Sequence, residues 1–102
     1  MKAFAYVNAA NEKEAVGALS AERGKFLPIA GGQDLLALMK DYVAQPDRLV
    51  NVKNLDRTIA KAADGGLRIG SAVSVADLAD HADVGRMYPA LAQAAAEVGT
   101  PQ

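Results

Sequence analysis

The sequence predicts an α/β fold: a small, mostly parallel three-stranded subdomain covered by helices, with a short hairpin beside it. Three observations predict it. Short apolar runs alternate with segments of helical period from Phe4 to Val52, and crossovers of that length keep successive strands parallel. Asp64-Gly65-Gly66 reads as a tight turn, which switches the chain from crossovers to antiparallel pairing. The 51% apolar fraction includes 22 alanines, leaving 30 larger side chains. That is enough for one modest core in a single small domain or a piece of a larger one.

The elements follow in order. Phe4 to Val7 is a short strand with Phe4 and Tyr6 on one face. Asn11 and Glu14 have the spacing of a capping box, with Ala15, Val16 and Leu19 as the buried stripe and Gly24 as the stop. Lys25 to Ala30 is too short for a helix, and Pro28 makes it an edge or terminal strand segment rather than a central one. After Gly31-Gly32, the segment Gln33 to Val43 carries a wide apolar face at helical period, ended by Pro46. Arg48 to Val52 is the third strand, and Ile59 to Ala62 pairs with Leu67 to Ile69 as the hairpin. Ser74 and Asp77 mark the start of a short helix. Pro89 opens the last helix, with Leu91, Ala94, Ala95 and Val98 on one stripe and Gly99 as its stop.

Composition excludes several function classes. Eleven basic residues against twelve acidic ones give a net charge of -1, which argues against a basic surface for nucleic acid or anionic membrane. No cysteine is present, so the chain offers no disulfide, no thiolate-held iron–sulfur cluster and no cysteine nucleophile. No run approaches the ~20 apolar residues of a membrane span, and the first residues lack the apolar stretch of a signal peptide. A cytoplasmic location is therefore the expectation. The single histidine, His81, has Asp77, Asp80 and Asp83 nearby but no second histidine, and reads as a solvated helix end rather than a metal ligand. No acid–base or nucleophile set can be picked out, so catalytic residues are not expected.

The strongest local signal is Ile29-Ala30-Gly31-Gly32-Gln33-Asp34-Leu35, where a strand runs into two glycines and a helix begins at once. Glycines there allow a sharp turn and a close approach to the main chain. The first helical amides lack partners and sit at the positive end of the helix dipole, so a phosphate or pyrophosphate would satisfy them. A plain strand–helix turn, with Asp34 as a favourable first-turn charge, fits the same spacing. The segment is neither GxGxxG nor GxxxxGK[ST].

Taken in order, several blocks together resemble one family. They are Phe4-Ala5-Tyr6, Ile29-Ala30-Gly31-Gly32-Gln33-Asp34-Leu35-Leu36, Leu49-Val50-Asn51-Val52, Leu67-Arg68-Ile69-Gly70-Ser71 and Tyr88-Pro89-Ala90-Leu91. The chain resembles the N-terminal part of the FAD-binding medium subunit of molybdenum hydroxylases, the xanthine dehydrogenase family, over essentially all 102 residues. The fold this implies resembles the first part of a PCMH-type FAD-binding domain.

The resemblance implies that Pro28, Ile29, Ala30, Gly31, Gly32, Gln33, Asp34 and Leu35 wrap the FAD pyrophosphate. It also implies that Val98 offers an apolar contact near the flavin, and that Gly70 and Ser71 help shape the pocket. Family members continue with a second glycine loop, so this chain is expected to carry about half of the dinucleotide site. The implied function is electron transfer, from iron–sulfur clusters through FAD to an acceptor. The implied partners are the remainder of the FAD subunit, a large subunit with the molybdenum cofactor and a small subunit with [2Fe-2S] clusters. The alternative is a non-catalytic α/β interaction domain without flavin.

Overall fold

A computed structural model describes residues 1–19 and 24–98, which divide into two compact units, Met1–Leu55 and Asp56–Gln102. The first unit runs β1 (Ala5–Asn8), α1 (Glu12–Leu19), β2 (Phe26–Ile29), α2 (Gln33–Lys40) and β3 (Arg48–Asn51). All three strands are parallel, in the order β1-β3-β2. The central strand is the one whose Leu49, Val50 and Asn51 are all buried. β2 lies on an edge, where Pro28 removes no donor that the sheet needs.

Burial follows from the pleat. Val50 joins Ala9 of the β1 exit and Ala15 of α1 in one buried cluster, flanked by Ala18, Leu19, Val52 and Leu55. Leu49 points to the opposite face by strand alternation, and both it and Met39 of α2 are 1% exposed. Right-handed crossovers place α1 and α2 on opposite faces, in agreement with that division.

The Asn11 side chain caps α1 by accepting from the Glu14 amide at 2.9 Å, and the Glu14 carboxylate reaches one residue further back than in a standard capping box, accepting from the Ala10 amide at 2.8 Å. No basic residue sits in the last turn of α1. Arg48 supplies one from β3, donating to the Ala18 carbonyl at 3.2 Å with its guanidinium 4.2 Å above the Phe26 ring.

α2 ends at Lys40, short of the expected Val43. Tyr42 adopts φ 57°, the left-handed region, so that its amide donates to Met39 O and the Val43 amide donates to Leu38 O. This is a Schellman ending with tyrosine where glycine is usual.

The second unit holds β4 (Ile59–Lys61), β5 (Leu67–Ile69), α3 (Val75–Asp80), α4 (Ala82–Met87) and α5 (Pro89–Glu97). β4 and β5 pair antiparallel as expected, closed by Gly65 at φ 92° and by the Asp64 carboxylate accepting from the Gly66 amide. Ser74 caps α3 through the Asp77 amide at 3.0 Å. α4 is a helix that the sequence did not announce. His81 caps it, with Nδ1 accepting from the Asp83 amide at 3.2 Å.

α5 packs against α3 and α4. The expected stripe is only partly covered: Ala95 is buried, whereas Leu91 and Val98 are 38% and 62% exposed. The stop assigned to Gly99 lies outside the described residues.

Asp56 organises the hairpin. Its carboxylate accepts from the Thr58 amide, the Thr58 hydroxyl and the Arg68 guanidinium, at 2.9, 2.6 and 3.1 Å. Those bonds, Thr58's first, hold its carboxyl below the ordinary 3.8, as the Arg86 hydrogen bond does for Asp83. A pKa depressed only in the folded chain contributes stability above 3.8 that is lost as the pH falls through the lowered value. Equilibrium unfolding measured from about pH 6 to about pH 2 is expected to show a flat neutral limb and an acid limb beginning below about pH 4. Asp56→Asn will flatten part of that limb, and an unchanged acid limb in the variant would refute the assignment.

Candidate cofactor-binding site

The site grows from the exit of β2. The Ile29 carbonyl makes the last bond of the strand, accepting from the Val52 amide of the β3 exit at 3.1 Å. Ala30 and Gly31 follow, both exposed, and Gly32 turns the chain at φ 78°, ψ 0° into the first turn of α2. That left-handed conformation is one that glycine adopts without strain. Gly32 O accepts from the Leu36 amide at 3.0 Å and so closes the first helical turn.

No side chain caps the start of α2. Asn11, Ser74 and His81 cap α1, α3 and α4, whereas α2, like α5, starts without a side-chain cap. Its first amides point out of the helix beside exposed main chain, at the positive end of the dipole.

The two glycines do different work. A Cβ built on Gly32 would meet the Leu36 Cδ1 at 3.1 Å and the Ile29 Cδ1 at 3.5 Å, so its absence serves the chain's own packing. A Cβ on Gly31 would meet nothing within 4 Å, and Gly31 is outside the left-handed region. Nothing inside the described residues requires glycine there. The open main chain at Gly31 is instead suited to a ligand that approaches the backbone closely. Together with the uncapped amides it leaves exposed N–H donors at the positive end of α2.

The sequence-predicted residues Pro28 to Leu35 are therefore brought together on one strand–turn–helix. Gln33 and Asp34 are exposed in the first turn of α2, and Leu35 is half-buried. Val98 belongs to the second unit, where it follows α5 and lines a shallow groove of about 310 Å³ with Val75, Ala79 and Asp80 of α3. Gly70 is also in that unit. The backbone carbonyl of Asp56 fills the space that its side chain would need, so its role in the fold is internal. No cluster of metal-ligating side chains occurs among the described residues, and no helix among them is long and apolar enough to cross a membrane.

Residues 2–102 match the family described as the FAD binding domain in molybdopterin dehydrogenase. The chain belongs to this family. Among its relatives, the aldehyde oxidoreductase FAD-binding subunit PaoB of Escherichia coli K12 is 45% identical over 98 residues, covering 92% of this chain and 30% of that protein. The xanthine dehydrogenase FAD-binding subunit of Escherichia coli O157:H7 is 34% identical, covering 95% of this chain and 34% of that protein. The chain thus spans about a third of the length of the curated relatives it matches.

Solved structures agree on the fold. Quinoline 2-oxidoreductase from Pseudomonas putida 86 superposes with a TM-score of 0.85 at 30% identity, over 98% of this chain and 36% of that one. Carbon monoxide dehydrogenase from Hydrogenophaga pseudoflava gives 0.85 at 31% identity, over 97% and 35%. The small parallel sheet with its helices and hairpin is the start of a PCMH-type FAD-binding domain.

Sequence reasoning missed one polar cluster at this end of the sheet. Asn51 of β3 is 7% exposed and lies in register with both Asn8 and Ile29. Its Nδ2 donates to the Asn8 Oδ1 at 2.8 Å, and its Oδ1 accepts from the Lys53 amide at 2.9 Å. The asparagines are 43 residues apart, so no local pattern announces the pair.

Proposed function

We propose that this chain holds FAD as part of the electron-transfer subunit of a molybdenum hydroxylase. The observation that carries the reading is the β2–α2 turn: open main chain at Gly31, a left-handed Gly32 and an uncapped helix start. The amides around Gly31, Gly32 and Gln33 would donate to the pyrophosphate, with the positive end of α2 offsetting its charge. Pro28 to Leu35 supply the wall of that cradle. Bound there, FAD would supply one- and two-electron carrying chemistry, taking electrons from iron–sulfur clusters and giving them to an acceptor.

These residues supply binding and orientation, and no acid or base of this chain is assigned a step. The other contacts to the dinucleotide, including a second glycine loop, come from the portion of the subunit that the longer relatives have and this chain does not span. The partners are the remainder of that subunit, a molybdenum-binding large subunit and a small subunit carrying [2Fe-2S] clusters. The names of the relatives, which are FAD-binding subunits of an aldehyde oxidoreductase and a xanthine dehydrogenase, support the assignment.

The full-length polypeptide, purified with the chains that accompany it, is expected to show the visible flavin absorption band and to release FAD on denaturation. A folded preparation with no flavin band, which also fails to quench the fluorescence of added FAD, would overturn the reading.

A further inference from the structure

We propose that Asn51 is a positioning residue for the glycine cradle, an inference that rests on the cofactor reading above. β2 is an edge strand, so its exit can be held from only one side, by β3. The holding bond is the Val52 amide on the Ile29 carbonyl, immediately before Ala30-Gly31-Gly32. Val52 is the middle residue of a turn that the Asn51 side chain closes on the Lys53 amide, the two-residue reach by which asparagine fixes local backbone direction. The same side chain is anchored in turn to Asn8 of β1 at 2.8 Å.

The main chain of Asn51 adds a further tie, its carbonyl accepting from the Ala9 amide at 3.2 Å. One buried side-chain amide thus ties the β1 exit to the turn after β3, and that turn carries the Val52 N–H that holds the last β2 carbonyl before the cradle. The glycines have no side chains with which to fix themselves, so their placement depends on this anchor. Misplacing donors by a fraction of an ångström weakens a charge-assisted contact much more than it weakens a fold.

The experiment compares FAD affinity and unfolding free energy in the full-length polypeptide for five variants. Asn51→Ala removes both side-chain bonds and is expected to weaken FAD binding by roughly tenfold. Asn51→Asp keeps the acceptor for Lys53, and Asn8 can turn its amide to donate to the carboxylate, so affinity should fall less than in Asn51→Ala, the remaining loss coming from the buried negative charge. Asn8→Ala leaves the turn without its anchor and should weaken binding by about threefold. Leu19→Ala, in the α1 core, destabilises the same unit away from the cradle and should leave affinity unchanged.

Gly31→Val separates the two levels of the argument. Wild-type binding in Gly31→Val overturns the cradle and the role of Asn51 with it. Loss in Gly31→Val with wild-type binding in Asn51→Ala overturns the role of Asn51 alone. So does affinity that simply tracks stability, with Leu19→Ala losing as much as Asn51→Ala. If Asn51→Ala does not fold, Asn8→Ala decides, and wild-type affinity there counts against the proposal.

Discussion

Gly31→Val in the full-length polypeptide is expected to lower FAD affinity by about a hundredfold while leaving the fold in place. A Cβ added at this position meets no atom beyond its chain neighbours within 4 Å and requires no left-handed backbone. The change in folding stability should therefore stay within about 0.5 kcal/mol, as for ordinary surface substitutions. The branched Cβ would instead occupy the space over the main chain through which the pyrophosphate is reached. Losing two charge-assisted bonds at about 1.5 kcal/mol each gives ~3 kcal/mol, or about two decades in affinity.

Gly32→Val is a poorer probe. It combines a left-handed φ of 78° with contact on Leu36, a strain of roughly 1–3 kcal/mol that would unsettle the helix start as well as the ligand. Asp34→Ala removes only a first-turn charge, worth about 0.3–1 kcal/mol to the helix, and should weaken binding least. Calorimetric titration of FAD into the three folded apo-proteins orders them directly. Wild-type affinity in Gly31→Val would defeat the pyrophosphate assignment.

The second large effect is on stability. Gly70→Ala should destabilise the hairpin unit by about 3 kcal/mol or more, at the upper end of what overpacking costs. The added Cβ would run into the backbone carbonyl of Asp56, a group that no rotamer change can move aside. That carbonyl already accepts from the Ala72 amide at 2.9 Å, and the side chain of the same residue holds Thr58 and Arg68, so a shift of Asp56 would break several bonds together. Gly85→Ala is the matched control with the opposite sign. It lies inside α4 with nothing within 4 Å of its Cβ and should stabilise by about 0.5–1 kcal/mol. Urea unfolding of the two variants tests both signs, and a Gly70→Ala protein as stable as wild type would mean that the hairpin tolerates a different path.

The elements that were legible in the sequence are those whose signals are local. Asn11 and Glu14 announce α1 because both partners of the capping box lie within four residues, and Pro28 announces an edge because a missing donor excludes a central place. The hairpin was legible for the same reason, through the Asp64-Gly65-Gly66 turn. α4 was not, because histidine is an uncommon cap, Gly85 weakens the helical pattern and the helix has only six residues. α2 ends before the expected Val43 because Tyr42 takes a conformation that glycine usually marks. At the candidate site, the glycines stood out, but their division of labour depends on where Leu36 and Ile29 send their side chains. The asparagine pair depends on sheet register between distant segments, which no window of sequence contains.

Pro28 has a consequence for how molecules of this protein meet one another. In the register that pairs Ile29 with Asn51, the Ile29 carbonyl accepts from Val52, so Leu27 and Ile29 turn their peptide groups toward β3. Phe26 and Pro28 turn theirs outward. A strand arriving from a second molecule would find a carbonyl at position 28 but no N–H to match it, and the pyrrolidine ring would stand in the way of a continuous ladder. The edge that leads into the glycine turn therefore resists extension into an intermolecular sheet.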